Sequence, residues 1–341
     1  MNADKRPVRF GLWYDFRNPP QWRRPYDQLY GEILDQVAWA DNHGFDDVWL
    51  SEHHFIEDGY LPSMLPAAAA IAARTKKIRI PLGVLLMPFH NPVRLAEDIA
   101  VVDAISAGRF ELGVGVGYKV EEFEGFTIPF SERGARTNEA LGIIRRLLEG
   151  ETVTFKGKFF EVNNVKLTPE PIQKPHPPIW VGGFTPPALR RAARYGDGFT
   201  APEANRGVYD RYVEELRKQG RPTNTVRFAA GHRWLIASND PERTWNEAAD
   251  HIIYQSNNYM RWAEKAGQTR NPAYIRDRAH LRELGQLKVA EPGECVKLIR
   301  EYLDSVPITH YYSWTLPPGL APSWAQPHLE LFASEVIPAF R

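Results

Sequence analysis

The 341-residue sequence predicts a (β/α)8 TIM barrel, an α/β fold in which eight parallel strands close into a ring inside a layer of helices. Strand-like and helix-like segments alternate eight times along the chain, and eight is the number that closes such a barrel. The first strand–helix junction, WYDFRNPPQW at 13–22, contains no glycine. A doubly wound open sheet, which would carry a glycine-rich dinucleotide fingerprint at that junction, is therefore disfavoured.

The elements follow one another in a regular order. Residues 8–16 read as a strand, and residues 26–43 carry apolar side chains at helical spacing before Gly44, which suits the end of a helix. The further strand-like segments are DDVWL (46–50), KIRIPLGVLLMP (77–88), RFELGVGVG (109–117), PIWVGG (178–183), DGFTAP (197–202), VRFAAGHRWLIA (226–237) and ITHYYSWTL (308–316). Helical patterns follow each of them, at 62–75, 92–106, 131–150, 186–196, 209–220, from Pro241 and at 328–340.

The length leaves room for insertions in the barrel. A barrel of this kind needs about 250 residues, so about 90 remain. We assign them to segments 119–130, 151–178 and 254–287 at the carboxyl-terminal face. None of these has the composition of a disordered linker, so residues 1–341 are expected to form a single domain.

Composition limits the classes of function. The 42 basic and 42 acidic side chains balance, which disfavours binding to nucleic acid or to an anionic membrane. No apolar stretch approaches the length of a membrane span, and the N-terminus lacks the apolar segment of a signal peptide. The single cysteine, Cys295, cannot form an intrachain disulfide and is expected to be a buried packing residue, which together indicate a cytoplasmic protein.

A histidine pair ends the second predicted strand, in LSEHHF at 50–55. Function in a TIM barrel sits at the carboxyl ends of the strands, and a neutral histidine there can exchange a proton near pH 7. Alternation along a strand directs His53 to one face and Glu52 and His54 to the other, so the two histidines are poorly placed to chelate one metal. None of the ten histidines has the spacing of a zinc motif, and we predict no metal.

Glycines follow two other strands. In IWVGGFTPP, Gly182 and Gly183 lead directly into a helix, where backbone N–H groups can hold a phosphate and Thr185 can add a hydroxyl; glycine is also common in any tight βα turn. In ELGVGVGY, glycines alternate at 113, 115 and 117, which indicates either backbone crowding or a flat slot for a planar ring. Together with His53, these features suit a phosphorylated planar cofactor.

Five stretches resemble the bacterial luciferase-like superfamily of flavin-dependent oxidoreductases: GFDDVWLSEHHF, NPVRLAEDIAVVDAISAGRFELGVGVGY, ERGARTNEAL, PPIWVGGFTPPALRRAARYGDGF and LELFASEVIPAF. The resemblance covers nearly the whole chain and is weakest between Tyr254 and Leu287. It implies a dimeric TIM barrel that takes reduced FMN from a separate reductase and reacts it with O2. It also implies that His53 is the catalytic histidine, and that Gly83-Val84 holds a non-prolyl cis peptide beneath the flavin ring.

The sequence departs from the luciferases themselves at strand four. Where they carry a reactive cysteine and a phosphate-binding arginine, this chain has Gly115 and Val116, so phosphate binding would rest on Gly182, Gly183, Phe184 and Thr185. The LGVGVGY form is also similar to that of relatives that use the deazaflavin F420, which transfer hydride without oxygen. EHHF favours FMN, and F420 stays as the alternative.

The resulting hypothesis is a monooxygenase that oxidises a small organic substrate through a C4a-(hydro)peroxyflavin, with His53 assisting proton transfer. Loops at 119–130 and after Tyr254 would exclude water. Three alternatives remain open: an F420-dependent hydride transferase, a noncatalytic flavoprotein, and a barrel enzyme that binds a sugar phosphate. Aromatic residues at strand ends suggest a ring-containing substrate, although each is more typical of the core, and His232 and Arg233 could meet a polar group on it; these aromatics are Trp13, Tyr14, Trp234, Tyr312 and Trp314.

Overall fold

The computed structural model describes residues 7–341. The barrel segments are β1 (Arg9–Tyr14), β2 (Asp47–Leu50), β3 (Ile80–Pro81), β4 (Leu85–Leu86), β5 (Phe110–Gly115), β8 (Ile179–Gly182), β9 (Gly198–Thr200), β10 (Phe228–Ala230) and β13 (His310–Trp314). They form a parallel ring in the order β2-β1-β13-β10-β9-β8-β5-β3, and β4 also pairs with β5. The short segments β3 and β4 together make one position of the ring, so the nine segments are eight barrel strands. Single parallel bridges from Asp47 to Arg79 and from Leu50 to Leu82 join β2 to the β3 segment. The eight-stranded barrel prediction is confirmed.

Helices surround the ring, and the longer ones bury apolar side chains at helical spacing. In α1, for example, Leu29, Ile33 and Val37 are buried at helical spacing, and Gly44 follows in the left-handed region with φ 89°. None of the helices between residues 7 and 341 is both long enough and apolar enough to span a membrane. The α-helices are α1 (Tyr26–Ala40), α2 (Met64–Arg74), α3 (Pro92–Ile105), α4 (Val120–Gly125), α5 (Arg133–Leu148), α6 (Pro186–Tyr195), α7 (Arg206–Lys218), α8 (Pro241–Lys265), α9 (Arg278–Leu284), α10 (Pro292–Ser305) and α11 (Pro322–Leu331).

The predicted seventh strand divides into two. Its first part is barrel strand β10, and its second part, β11 (Trp234–Ala237), pairs in parallel with β12 (Leu287–Ala290) in a separate two-stranded sheet. The sequence was interpreted as one strand although Gly231, His232 and Arg233 interrupt its apolar residues, and it does not reveal that the second half pairs with the end of the 254–287 insertion. The helix α10, which follows β12, was also not predicted.

The insertion at 151–178 was assigned to the wrong end of the barrel. It forms an antiparallel hairpin of β6 (Val153–Lys156) and β7 (Glu161–Val165). The hairpin connects the end of α5 to the start of β8, and helix-to-strand connections lie at the amino-terminal end of a barrel. The other two insertions each follow a barrel strand, β5 and β10, and so belong to the carboxyl-terminal mouth.

Charged side chains lie at the amino-terminal ends of the strands. Glu111 is buried and pairs with Arg79 and, at 2.9 Å, with Arg227. Burial raises the pKa of Glu111, but the two arginines outweigh it and hold the pKa at about 2. Asp47 and His310 are also buried here, with His310 Nε2 4.0 Å from Asp47 Oδ2. Bulky aromatic side chains fill the barrel above this layer, namely Trp13, Trp49, Trp180 and Tyr312.

Candidate active site

His53 lies just past the carboxyl end of β2 and is 6% exposed. Its Nδ1 donates a hydrogen bond to Oε1 of Glu122, with the two atoms 2.8 Å apart. Among residues 7–341, no hydrogen-bond partner is found for the other ring nitrogen, Nε2. A carboxylate that holds one nitrogen of a histidine fixes the tautomer and leaves the other nitrogen to exchange protons.

Glu122 is the partner that sequence reasoning missed. It lies on α4, in the loop after β5, and is fully buried. Its Oε1 also accepts the backbone N–H of His54 at 2.8 Å. The sequence offered a weak signal, because an acidic residue in the insertion after a barrel strand is a candidate for the barrel mouth. Glu122 is 69 residues from His53 in the chain, however, and no sequence pattern links the two residues.

His54 points away from His53 and belongs to a different network. Its Nε2 donates to Oε1 of Glu52 at 2.8 Å, and the same oxygen accepts the N–H of Leu86 at 3.3 Å. Burial raises the pKa of Glu52, but the hydrogen bond from His54 and the nearby His90, whose Nε2 lies 3.9 Å from Oε1, outweigh burial and hold the pKa below its usual range. The divergence that strand alternation predicted is confirmed. In the described part of the chain, no cluster of three histidine, cysteine, aspartate or glutamate side chains is arranged to hold a metal ion.

Aromatic side chains form the walls around His53. The rings of Tyr60 and Trp262 have centroids 4.9 Å from the His53 ring, and those of Tyr118 and Tyr259 lie at 5.6 and 6.2 Å. Tyr259 and Trp262 come from α8, in the insertion after β10. These rings pack directly against His53 and keep its surroundings apolar.

A chain of hydroxyl groups runs through one wall. Trp13 Nε1 donates to Ser51 Oγ at 3.0 Å, Ser51 Oγ lies 2.7 Å from the Tyr60 hydroxyl, and that hydroxyl lies 3.0 Å from the hydroxyl of Tyr259. Burial raises the pKa of Tyr60 well above its usual range and that of Tyr259 to about 12. Both phenols therefore stay protonated near neutral pH and act as neutral hydrogen-bonding groups.

Arg17, in the loop after β1, is a second residue that the sequence did not single out. Its side chain is fully buried, and Nε lies 2.7 Å from Oδ2 of Asp58. The guanidinium carbon is 5.4 Å from the ring centroid of Tyr60, 5.7 Å from that of Tyr259 and 5.6 Å from that of Trp262. These three rings also contact His53, so Arg17 and His53 border the same aromatic wall.

The predicted ring-binding residues come together around Val84. The Gly83–Val84 peptide bond is cis, as the family resemblance implied. A Cβ atom added to Gly115 would lie 2.5 Å from Val84 Cγ2, and one added to Gly182 would lie 2.6 Å from Val84 Cγ1. Val84 thus packs against both glycines, and β3, β5 and β8 are consecutive strands in the ring. Since β2 neighbours β3 in the ring, the strand end that precedes His53 is next to the strand segment that precedes Val84.

The alternating glycines of β5 are explained by crowding and not by an open slot. A Cβ on Gly113 would lie 1.6 Å from the carbonyl oxygen of Leu82, and Gly115 meets Val84. Gly117 has φ 72°, a conformation that favours glycine. Of the two interpretations of these glycines, the structure supports crowding at Gly113 and Gly115, because neighbouring chain occupies the space beside them. Val116 is half-buried and follows the last residue of β5.

The predicted phosphate turn offers fewer donors than expected. Gly183 N–H is already bonded to the carbonyl of Thr200 at 3.3 Å, and the next two residues after Thr185 are prolines without an N–H. Within residues 7–341, the N–H groups of Phe184 and Thr185 have no acceptor, and the Thr185 hydroxyl makes no capping bond. Both residues are exposed at the N-terminus of the ten-residue helix α6. Two amides, one hydroxyl and the helix end are the donors that this turn leaves without a partner in the described chain.

The remaining candidates contact other residues of the chain. The strand-end aromatics Trp13, Tyr14, Trp234, Tyr312 and Trp314 are all buried. Burial lowers the pKa of His232 to about 4, with Lys288 adding to the shift, and its Nδ1 lies 2.8 Å from the Tyr311 hydroxyl. Arg233 pairs with Glu203 at 3.0 Å. Cys295 is buried on α10, as predicted, and burial raises its pKa to about 12.

The fold and the strand-end loops define a TIM-barrel protein whose site lies at the carboxyl-terminal mouth. The model of the luciferase-like monooxygenase family matches residues 8–308, which is most of the chain. The chain belongs to the luciferase-like monooxygenase family, and the resemblance seen in its sequence motifs is confirmed.

Two kinds of relative are similar to the chain. The oxygenase component of the flavin-dependent trigonelline monooxygenase of Acinetobacter baylyi is 31% identical over 212 residues, 61% of this chain and 58% of that protein. The F420-dependent glucose-6-phosphate dehydrogenase of Amycolatopsis mediterranei is 34% identical over 175 residues, 49% of this chain and 52% of that protein. The chain thus spans a little over half the length of these two relatives.

Among solved structures, monooxygenase RslO1 from Streptomyces bottropensis superposes with a TM-score of 0.81 at 25% identity, over 98% of this chain and 100% of that one. The relatives therefore include both flavin-dependent and F420-dependent proteins, the two cofactors that the sequence motifs indicate.

Proposed function

We propose that this protein is a monooxygenase that uses reduced FMN and O2 to oxidise a small organic substrate. The observation that carries the proposal is the buried hydrogen bond between His53 and Glu122 at the barrel mouth. The strand that precedes His53 neighbours the strand segment that leads to Val84, the residue that packs against Gly115 and Gly182. Such a pair is the usual means of making a histidine exchange protons in a fixed direction. The partners that go with this proposal are a separate flavin reductase and a second copy of the chain, in the cytoplasm.

The residues present fit a flavin mononucleotide. Gly83, Val84, Gly115 and Gly182 would support the ring system, with Val116 beside them, and Phe184 and Thr185 with the Gly182-Gly183 turn would hold the phosphate. When bound, reduced FMN supplies two electrons to O2, so that one oxygen atom enters the substrate and the other leaves as water.

His53 acts as the proton-transfer group. Glu122 holds Nδ1–H, so Nε2 is the atom that accepts and returns a proton, and the carboxylate stabilises the imidazolium that forms. The fully buried carboxylate also fixes the adjacent backbone through the N–H of His54, which keeps the ring in one orientation.

Two loops keep water away from this histidine. Lys265, at the end of α8, pairs with Glu121 of α4 at 2.7 Å and so joins the insertion after β10 to the loop after β5. Lys119 reaches Glu121 at 3.8 Å from a nearly buried position. Exclusion of water suits oxygen chemistry because reactive intermediates otherwise decay by hydrolysis.

A hydride transferase that uses F420 is the second candidate. The F420-dependent relative and the LGVGVGY form of β5 support it. The aromatic walls around His53 support an organic ring as substrate and not a sugar phosphate, which favours the monooxygenase. In an F420 enzyme His53 would protonate or deprotonate the substrate oxygen.

The test is an anaerobic titration of the purified protein with reduced FMN and, separately, with reduced F420. Each complex is then mixed rapidly with oxygenated buffer while near-UV absorbance is recorded. Tight binding of reduced FMN, followed by an oxygen-dependent species that outlives free reduced FMN, supports the monooxygenase. Tight binding of F420 with no oxygen-dependent species contradicts it and supports the hydride transferase.

A further inference from the structure

The buried guanidinium of Arg17 has more hydrogen-bond donors than the surrounding residues use. Its Nε donates to Asp58, but Nη1 and Nη2 are buried and have no hydrogen-bond partner among residues 7–341. An arginine carries five N–H donors in a planar fork, so four of them are left unsatisfied. Buried donors without acceptors are costly and rare, and they call for an explanation.

The two nearest carboxylates are committed to other donors. Asp58 Oδ2 accepts from Arg17 Nε and from the Tyr254 hydroxyl at 3.0 Å, and its Oδ1 accepts the N–H of Tyr60 at 3.1 Å. Asp15 Oδ1 accepts the backbone N–H of Arg17 at 3.3 Å, and its Oδ2 accepts from Gln255 at 3.2 Å. Asp58 therefore orients the guanidinium through Nε and leaves the Nη edge free.

Asp58 and Asp15 already offset the charge of Arg17, so a further anion beside it requires a proton to be taken up. Burial raises the pKa of Asp15 to about 6, although Arg17 itself lowers it, so Asp15 is the carboxyl that takes up this proton. Four aromatic rings cover the guanidinium, namely those of Tyr60, Tyr254, Tyr259 and Trp262. Such rings stabilise a cation but do not accept hydrogen bonds from N–H groups that lie in the guanidinium plane. The in-plane edge formed by Nη1 and Nη2 matches the two oxygens of a carboxylate.

We propose that Arg17 binds the carboxylate of an aromatic substrate through Nη1 and Nη2, while the substrate ring lies along the wall that Tyr259 and Trp262 share with His53. This inference rests on the proposed function for the chemistry at His53, and it names the substrate class of that site as aromatic carboxylates. Arg17 is the specificity-determining residue, and Asp58 positions it.

The test is isothermal titration calorimetry of the purified protein, alone and with oxidised FMN, using benzoate and 2-naphthoate against their carboxamides. We expect the wild type to bind each carboxylate at least 10-fold more tightly than its carboxamide. Arg17→Lys keeps the charge beside Asp58 but removes the fork, and we expect it to weaken carboxylate binding at least 5-fold while carboxamide binding stays the same.

A second variant guards against misfolding. Removing Arg17 alone would leave Asp58 buried without its partner, so Arg17→Met is combined with Asp58→Asn, and circular dichroism verifies the fold. This variant should lose the preference for carboxylates. Arg74→Met, at an exposed ion pair with Asp35, should keep it. Equal binding of carboxylate and carboxamide by the wild type, no binding of either, or a preference that persists in the double variant would overturn the proposal.

The titration does not depend on oxygen chemistry. If the preference for carboxylates is found while the rapid-mixing experiment shows no oxygen-dependent species, the anion site stands and the monooxygenase proposal fails. If the oxygen-dependent species is found without any preference, the monooxygenase stands and Arg17 is only structural.

Discussion

Nδ1 of His53 and Oε1 of Glu122 lie 2.8 Å apart in a fully buried contact between the loop after β2 and the loop after β5. Because these loops come from different strands, the pair exists only when the barrel is closed and both loops are ordered. The histidine is therefore oriented by the same segment that packs over it.

Removing either member of this pair should reduce turnover while FMN binding is retained. We expect His53→Ala to lower kcat about 10²–10⁴-fold, the usual contribution of a positioned acid–base group. Glu122→Gln should lower kcat by about 10–100-fold, because the amide keeps the size of the side chain but cannot stabilise an imidazolium. Steady-state turnover and fluorescence titration with FMN measure the two effects separately.

The adjacent histidine provides the matched comparison for this prediction. His54 bonds to Glu52 and not to Glu122, so His54→Gln should lower kcat much less than His53→Ala. A loss of turnover in His54→Gln as large as that in His53→Ala would mean that the wrong histidine has been assigned. Near-full activity of His53→Ala would exclude His53 from catalysis.

Val84 should make Gly115 intolerant of a side chain. The added methyl group of Gly115→Ala would lie 2.5 Å from Val84 Cγ2, and we expect a loss of about 1–3 kcal/mol in the free energy of unfolding together with weaker FMN binding. Val84→Ala in the same chain removes the clashing atom and should restore most of the stability. Urea unfolding measures both variants.

Gly142→Ala is the control for that experiment. Its added methyl would meet nothing within 4 Å on helix α5, so we expect a gain of up to about 1 kcal/mol from the helix preference of alanine. If Gly115→Ala unfolds at the same urea concentration as the wild type, Val84 does not fill the space beside Gly115.

Thr185 should distinguish FMN from riboflavin. Its hydroxyl and N–H stand at the free end of α6, so Thr185→Ala removes one donor to the phosphate and should weaken FMN binding by about 1 kcal/mol, or 5–10-fold. Riboflavin, which lacks the phosphate, should bind both proteins equally, and Thr185→Ser should bind FMN like the wild type. An equal loss for FMN and riboflavin in Thr185→Ala would contradict the phosphate role.

Asp47 should make the protein less stable as pH rises. Burial raises its pKa to about 8, with Arg9 lowering it in part, so the folded state binds a proton that the unfolded state has released. The stability that this proton provides is complete below about pH 4 and is lost as pH rises through about 8. Asp47→Asn carries no such proton, so its stability relative to the wild type should increase between pH 5 and 9.

The neighbouring His310 titrates in a different pH range from Asp47. Burial lowers the pKa of His310 to about 3, although Glu111 raises it. The stability that neutral His310 contributes is therefore complete above about pH 6.5 and is lost as pH falls from there through about 3. Asp35→Asn, on a side chain that is 79% exposed, should follow the wild type at every pH. Parallel curves of unfolding free energy against pH for Asp47→Asn and the wild type would show that Asp47 is not protonated in the folded state.

The strands and helices of the barrel could be predicted because their causes are local. Buried parallel strands are continuous apolar runs, helices show 3.6-residue spacing, and glycine and proline mark their ends, as at Gly44. The division of residues 226–237 between β10 and β11 could not be predicted, since a strand's own residues do not state which strand it pairs with. The position of the 151–178 hairpin, by contrast, follows from chain order, because a segment between a helix and the next strand lies at the amino-terminal end of a barrel.

By itself, the sequence determined the barrel, the family and the strand ends at which His53, Val84 and Gly182 lie, because these follow from periodicity, composition and motifs within single segments. Only the tertiary structure decided that Glu122 binds His53, that Val84 fills the space beside two glycines, and that Arg17 keeps two nitrogens without acceptors. Contacts between residues far apart in the chain depend on how the strands are ordered around the ring and how deeply the loops are buried. Neither the strand order nor the burial of the loops can be inferred from a single segment of the sequence.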